Sequence, residues 1–143
     1  MSPSNLTSEG SMAKAEEFCS AARSALESGK INVAASNAYY AMFHAARAAL
    51  LASGAPINLE QIRTHPGLIG AFGEHLVKKG HASKEMGRLL NEAKDVRLVA
   101  DYAGKSVKPL EANRMVEEAE TFVAAMRAQF MPDTNDDEDN GPR

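Results

Sequence analysis

Apolar residues recur along most of the chain at steps of three and four, the spacing that gathers them on one face of an α-helix. Over residues 12–28 the pattern runs through Ala15, Phe18, Ala22, Ala25 and Leu26, and Gly29 ends it. A second, more apolar stretch covers residues 31–53, is rich in alanine, the residue of highest helix propensity, and breaks at Gly54 to Pro56. Residues 57–65 keep no sustained period, and Pro66 biases His65 away from helical geometry, so a loop is predicted there. Pro66 suits the first turn of a short third helix carrying Leu68, Ile69, Phe72, Leu76 and Val77, closed by Lys78, Lys79 and Gly80. Ser83 can cap a fourth helix whose apolar face (Met86, Leu89, Leu90, Ala93, Val96, Ala100) reaches Tyr102, with Gly104 ending it. Pro109 opens a fifth, with Ala112, Met115, Val116, Ala119, Phe122, Val123, Met126 and Phe130 on one side, and Pro132 stops it.

No segment alternates apolar and polar positions as a half-buried strand does. The fold class is therefore all-α, and five amphipathic helices on mostly short connections predict an up-and-down antiparallel bundle. The organisation expected is a flexible amino terminus over residues 1–11, one bundle domain over 12–131, and a disordered acidic tail over 132–143. A chain of 143 residues, 44% hydrophobic and 24% charged, without a long uncharged apolar run, fits a single globular domain and not a membrane protein. The polar amino terminus lacks the basic cluster and apolar stretch of a secretion signal, so a cytoplasmic location is expected. Cys19 is the only cysteine, which excludes an internal disulfide, and its register with Ala15, Ala22 and Leu26 reads as a core thiol. Five acids near the carboxyl terminus (Asp133, Asp136, Asp137, Glu138, Asp139) more than account for the formal charge of −3. The bundle itself is thus close to neutral, without the strong basic footprint of an obligate nucleic-acid binder.

A few polar residues do not fit a bland bundle. Asn37, Tyr40, His44 and Arg47 fall on one stripe of an otherwise apolar second helix, which reads either as a solvated edge or as a face turned to something specific. Arg97 falls between Leu89 and Leu90 on the apolar face of the fourth helix, where arginine is rarely found without a partner. It is either paired with Asp101, one turn on, or it meets an anionic ligand, for which its planar donors suit phosphate. Were the second and fourth helices adjacent, Arg97 and Asp101 could converge with Asn37, His44 and Arg47 on a nucleotide or RNA phosphate. His65 leads into a helix amino terminus, where free amides favour anions. His75 and His81 read as surface residues. No histidine pair has the spacing of a helical zinc site and no glycine-rich phosphate loop precedes a helix, so neither metal nor cofactor is expected.

The segment Ala38, Tyr39, Tyr40, Ala41, Met42, Phe43, His44, Ala45, Ala46, Arg47, the turn Thr64, His65, Pro66, Gly67, and Arg97 with Asp101 and Tyr102 together resemble the HEPN domain family, in its small stand-alone prokaryotic branch. The likeness covers residues 13–130. It implies a helical bundle that forms a homodimer and is often paired with a minimal nucleotidyltransferase as toxin and antitoxin. Many family members are metal-independent ribonucleases, whose motif is an arginine followed after four to six residues by a histidine. Arg97 matches the arginine, but residues 102–104 hold no histidine, and Tyr102 is a poorer base. Three readings stay open. The chain is a nucleotide- or RNA-phosphate-binding member of such a pair, or a ribonuclease with a variant site of Arg97, Tyr102 and His44 or His65, or a dimeric interaction module without ligand.

Overall fold

The computed structural model describes residues 7–102 and 104–131. The expected acidic tail, and residues 1–6 of the expected flexible terminus, lie outside the described residues. Five helices follow in order: α1 (Ser8–Glu27), α2 (Ile31–Ser53), α3 (His65–Phe72, running on as a wider turn over Gly73–Val77), α4 (Lys84–Tyr102) and α5 (Pro109–Phe130). No strand occurs among the described residues, so the fold is the all-α bundle that the apolar periodicity predicts.

α1 begins four residues earlier than its apolar pattern. The Thr7 hydroxyl accepts the Gly10 N–H at 2.9 Å, and Ser11 and Met12 are fully buried, so a cap and tertiary packing extend a polar segment into the helix. At the other end Gly29 takes a φ of 79° and Lys30 N–H reaches the Ala25 carbonyl at 2.8 Å, a left-handed stop that reverses the chain into α2.

α2 is the central rod and packs on α1, α5, α4 and α3. Eight of its buried residues are alanines (Ala34, Ala35, Ala38, Ala41, Ala45, Ala46, Ala48, Ala49), and α1 turns Ala15, Ala22 and Ala25 toward the core. Small side chains on facing helices let the axes approach closely, which explains why α1 and α2 share the largest contact in the molecule. Two forked ion pairs tie α1 to α5: Arg23 to Glu120 at 2.7 Å and Arg127 to Glu16 at 2.6 Å. Both are half-exposed, so solvent screens them and each adds little to stability. Phe72 of α3 meets Phe122 of α5 with ring centres 5.7 Å apart. α4 and α5, although consecutive, touch each other only sparingly, because each is committed to α2. Cys19 is half-buried against the core, and burial raises its pKa.

The loop over residues 57–65 is more ordered than its sequence implies. Gln61–Arg63 form a 3₁₀ turn that buries Ile62, and His65 is the first residue of α3 instead of a loop residue. The steric bias against helical geometry before Pro66 is overridden by the Thr64 cap, whose hydroxyl accepts the Gly67 N–H at 3.1 Å while its carbonyl accepts from Leu68 at 2.9 Å. Gly67 is required there, since a Cβ on it would lie 2.0 Å from the Gln61 carbonyl oxygen. His75 is also more enclosed than a surface residue, its Nδ1 buried without a protein partner.

Candidate functional site

α4 turns Arg97 inward by its place on the apolar face, and α2 meets it with tyrosines. The Arg97 side chain is 8% exposed. Its Cζ lies 5.4 Å from the centre of the Tyr39 ring, 5.9 Å from Tyr40 and 5.5 Å from Tyr102, within reach of cation–π attraction to all three. The ion pair expected from the spacing is present: Nη1 lies 3.5 Å from the Asp101 carboxylate, and the Tyr102 hydroxyl is also 3.5 Å away. Both contacts are at the long limit of hydrogen bonding, and Nε is buried with no partner. Burial opposes the charge on Arg97, and the three tyrosines with Asp101 more than offset it, so its pKa rises above the ordinary arginine value. A guanidinium carries five N–H donors, and here only loose contacts engage them.

His65 reaches the same place from the start of α3. Its ring packs against Phe43, Tyr39 and Tyr40 with centres 4.8, 5.3 and 6.1 Å away. The fully buried Tyr39 places its hydroxyl 2.6 Å from His65 Nδ1. Burial, partly countered by the charge of Arg97, pushes the Tyr39 pKa up to about 12, so the phenol keeps its proton at neutral pH. A donating phenol makes Nδ1 the acceptor and puts the ring proton on Nε2, and the other tautomer reverses the two roles. Burial, then the charges of Arg97 and Arg47, hold the His65 pKa below its usual value and keep the ring neutral at pH 7.

The stripe on α2 is divided between two neighbourhoods. Tyr40 directs its hydroxyl to Asp101 Oδ2 at 3.5 Å, and Asn37 lines a cleft of about 170 Å³ with Asp101, Ser36 and Ala100. Asn37, Tyr40, Arg97, Asp101 and Tyr102 are thereby gathered along the α2–α4 seam, where Tyr102 is 72% exposed and marks the open edge. His44 and Arg47 instead lie beyond His65. His44 stacks on Phe18 of α1, ring centres 5.4 Å apart and nearly parallel, with Nδ1 buried and unpartnered. Burial, helped by the charges of Arg47, Lys14 and His65, lowers its pKa to about 4. Arg47 lies over Phe43 at 4.9 Å and donates to the Ile62 carbonyl at 3.3 Å. Tyr39, the link between Arg97 and His65, falls outside the polar stripe that the sequence singles out on α2. The available signal was its hydroxyl, which needs a partner once buried.

Metal-independent RNA cleavage needs a group that removes the 2′-hydroxyl proton and one that protonates the leaving oxygen, and His65 is the imidazole that the fold brings beside Tyr39. His44 packs against the rings of Phe18 and Phe43. Among the described residues no cluster of three histidine, cysteine or acidic side chains could hold a metal ion, and no helix is long and apolar enough to cross a membrane.

Comparison with known proteins identifies the family. A UPF0332 protein of Gloeobacter violaceus is 40% identical over 93 residues, covering 65% of this chain and 70% of that protein. A putative toxin of Methanocaldococcus jannaschii is 37% identical over 109 residues, covering 76% of this chain and 78% of its own. A second putative toxin of the same organism is 30% identical over 111 residues, covering 77% and 72%. The HEPN domain model matches residues 8–129, nearly the whole of the described bundle, and the chain belongs to the HEPN family.

Proposed function

We propose that this chain is the phosphate-binding HEPN member of a toxin–antitoxin-type pair, with RNA or a nucleotide as ligand. The observation that carries the reading is the Arg97 guanidinium: enclosed by three tyrosines, joined to Asp101 only at 3.5 Å, and with Nε unpartnered. Phosphate oxygens can make the short, charge-assisted contacts that this donor set lacks. Asn37, Tyr40 and Tyr102 border the same seam and supply neutral polar contacts, and His65, in the tautomer that accepts from Tyr39, offers its Nε2 proton. The reading includes a homodimer that acts beside a minimal nucleotidyltransferase in the cytoplasm, and the relatives named as putative toxins support its toxin–antitoxin part.

Thermal-shift titration with nucleoside monophosphates and short single-stranded RNA tests this reading. Wild-type protein gains stability with ligand and Arg97→Gln does not. No shift for any of these ligands would overturn it.

One observation favours a second reading, a ribonuclease with a variant site: the fold brings an imidazole to Arg97 from α3, through Tyr39, where the α4 sequence supplies none. RNA cleavage lost in both Arg97→Ala and His65→Ala supports it, and an intact RNA pool with wild-type protein rejects it.

A further inference from the structure

At the carboxyl-terminal end of α2, a cleft of about 200 Å³ opens between the chain reversal Ser53 to Pro56 and the side chains of His75, Lys79 and His81. His75 sits in the wide turn that prolongs α3, and the loop after that turn is fixed to it: the His81 and Ala82 N–H groups both donate to the Leu76 carbonyl, at 2.7 and 2.9 Å. The ionisable groups of the cleft are donors without acceptors. His75 Nδ1 is buried with no partner, so a proton there would be stranded, and the neutral ring carries its proton on Nε2 instead. Lys79 pairs with no carboxylate among the described residues, whereas Lys78 beside it meets Glu74 at 3.9 Å. No acidic side chain lines the cleft. A metal ion bound through Nε2 would force the His75 proton onto Nδ1, where nothing receives it, and would meet the Lys79 charge. Carboxylate oxygens match such donors.

The chain brings carboxylates to the edge of this cleft. The Gln129 side-chain amide donates to the His81 carbonyl, which holds the last turn of α5 against the loop that carries His81. Asp133, Asp136, Asp137, Glu138 and Asp139 follow shortly after, with no basic residue between them. An extended chain covers at most about 3.3–3.6 Å per residue, so Asp136 stays within about 18 Å of Met131. A tether this short keeps the acids at an effective concentration in the millimolar range, enough to populate contacts that are weak between separate molecules. We infer that the cleft of His75, Lys79 and His81 is a carboxylate-binding site, and that its occupant is the acidic segment Asp133 to Asp139 of the same chain. Seated there, the segment ties the end of α5 to the turn that leaves α2, and its charge cannot also neutralise Arg97. The cleft shares no residue with the Arg97 seam and does not rest on the phosphate-binding reading.

The test compares the wild-type chain with a charge-neutral variant carrying Asp133→Asn, Asp136→Asn, Asp137→Asn, Glu138→Gln and Asp139→Asn, by nitrogen–proton NMR of the imidazoles. All five positions follow the last helix, so the bundle is expected to fold in both. Neutralising the acids is expected to move the His75 and His81 ring resonances and to leave those of His44 and His65 in place. Salt at about 1 M, where the screening length falls to about 3 Å, is expected to reproduce the shift in the wild type and to add none in the variant. Ring resonances of His75 and His81 that ignore both changes would overturn the proposal, and so would equal shifts of all four histidines. A second readout is cleavage after Glu138 by a glutamate-specific protease. Lys79→Gln, at an exposed position, is expected to speed it about twofold to fivefold, the equivalent of one solvated ion pair, and an unchanged rate would count against the site. Isotope-labelled neutral variant mixed with unlabelled wild type keeps its own spectrum if the occupant is intramolecular. Shifts that return in the mixture would assign the cleft to the acidic segment of a second copy and overturn the intramolecular seat.

Discussion

If Arg97 is held loosely by Asp101 so that a ligand can engage it, the energetic coupling between the two must be small. Arg97→Met keeps most of the apolar volume and removes the charge; Asp101→Asn keeps the shape and removes the opposite charge. Breaking a well-formed buried ion pair costs ~3–5 kcal/mol. Here the carboxylate is 23% exposed and the contact is 3.5 Å long, so the ion-pair share should be closer to the ~0.2–1 kcal/mol of solvated pairs. Cation–π contacts are worth roughly 0.5–1 kcal/mol at exposed sites and about 2 kcal/mol or more when desolvated, and Arg97 is 8% exposed, so its three ring contacts together contribute at least about 2 kcal/mol. Arg97→Met is therefore expected to destabilise by at least about 2 kcal/mol, mostly through the tyrosines, and Asp101→Asn by less than about 1 kcal/mol. The assay is urea denaturation of wild type, both single variants and the double variant, followed by far-ultraviolet circular dichroism. A coupling energy below about 1 kcal/mol agrees with an available guanidinium, whereas one above about 2 kcal/mol would show a committed structural pair and refute the reasoning.

Other consequences follow from the same contacts. His44 has a folded pKa of about 4 against an ordinary value of 6.5, so the unfolded chain binds the extra proton between these values and stability falls as pH drops through that window. The contribution is ~2–3 kcal/mol, and melting curves of His44→Leu should lose less stability than wild type between pH 7 and about 4.5; equal losses would contradict it. Gly67→Ala drives a methyl against the Gln61 carbonyl and should lower stability by more than about 2 kcal/mol in thermal melts, while an unchanged melting temperature would mean that the α3 start is not as tight as described. With the phenol as donor, Tyr39→Phe leaves His65 Nδ1 unpaired at a cost of ~1–3 kcal/mol, and nitrogen NMR of the imidazole should show the proton no longer confined to Nε2; an unaltered tautomer would refute the Tyr39 donor role.

Much of this molecule can be read from its amino acids, and the gaps have identifiable causes. Gly54, Gly104, Pro109 and the alanine-rich run mark the limits of α2, α4 and α5 because each acts through its own backbone. The start of α1 was hidden because Thr7 to Ser11 are polar, and only packing of Ser11 and Met12 reveals that they are helical. His65 falls in the helix because the local rule about the residue before proline lost to the cap that Thr64, the residue just before it, places on α3. Arg97 was legible from its helical angle alone. Asn37, Tyr40, His44 and Arg47 were legible as one stripe, but periodicity does not say which neighbour faces each turn. α4 meets the first two of them, while Phe18 and Ile62 close over the last two.

The central claim is that the Arg97 guanidinium is enclosed yet has donors free for phosphate. Its Nε–H gives a distinct proton–nitrogen resonance, and titration with a single-stranded RNA octamer observes that group directly. A saturable shift toward lower field, abolished by excess inorganic phosphate or high salt, is the predicted result. A resonance that stays in place while the octamer is added to excess would contradict the account.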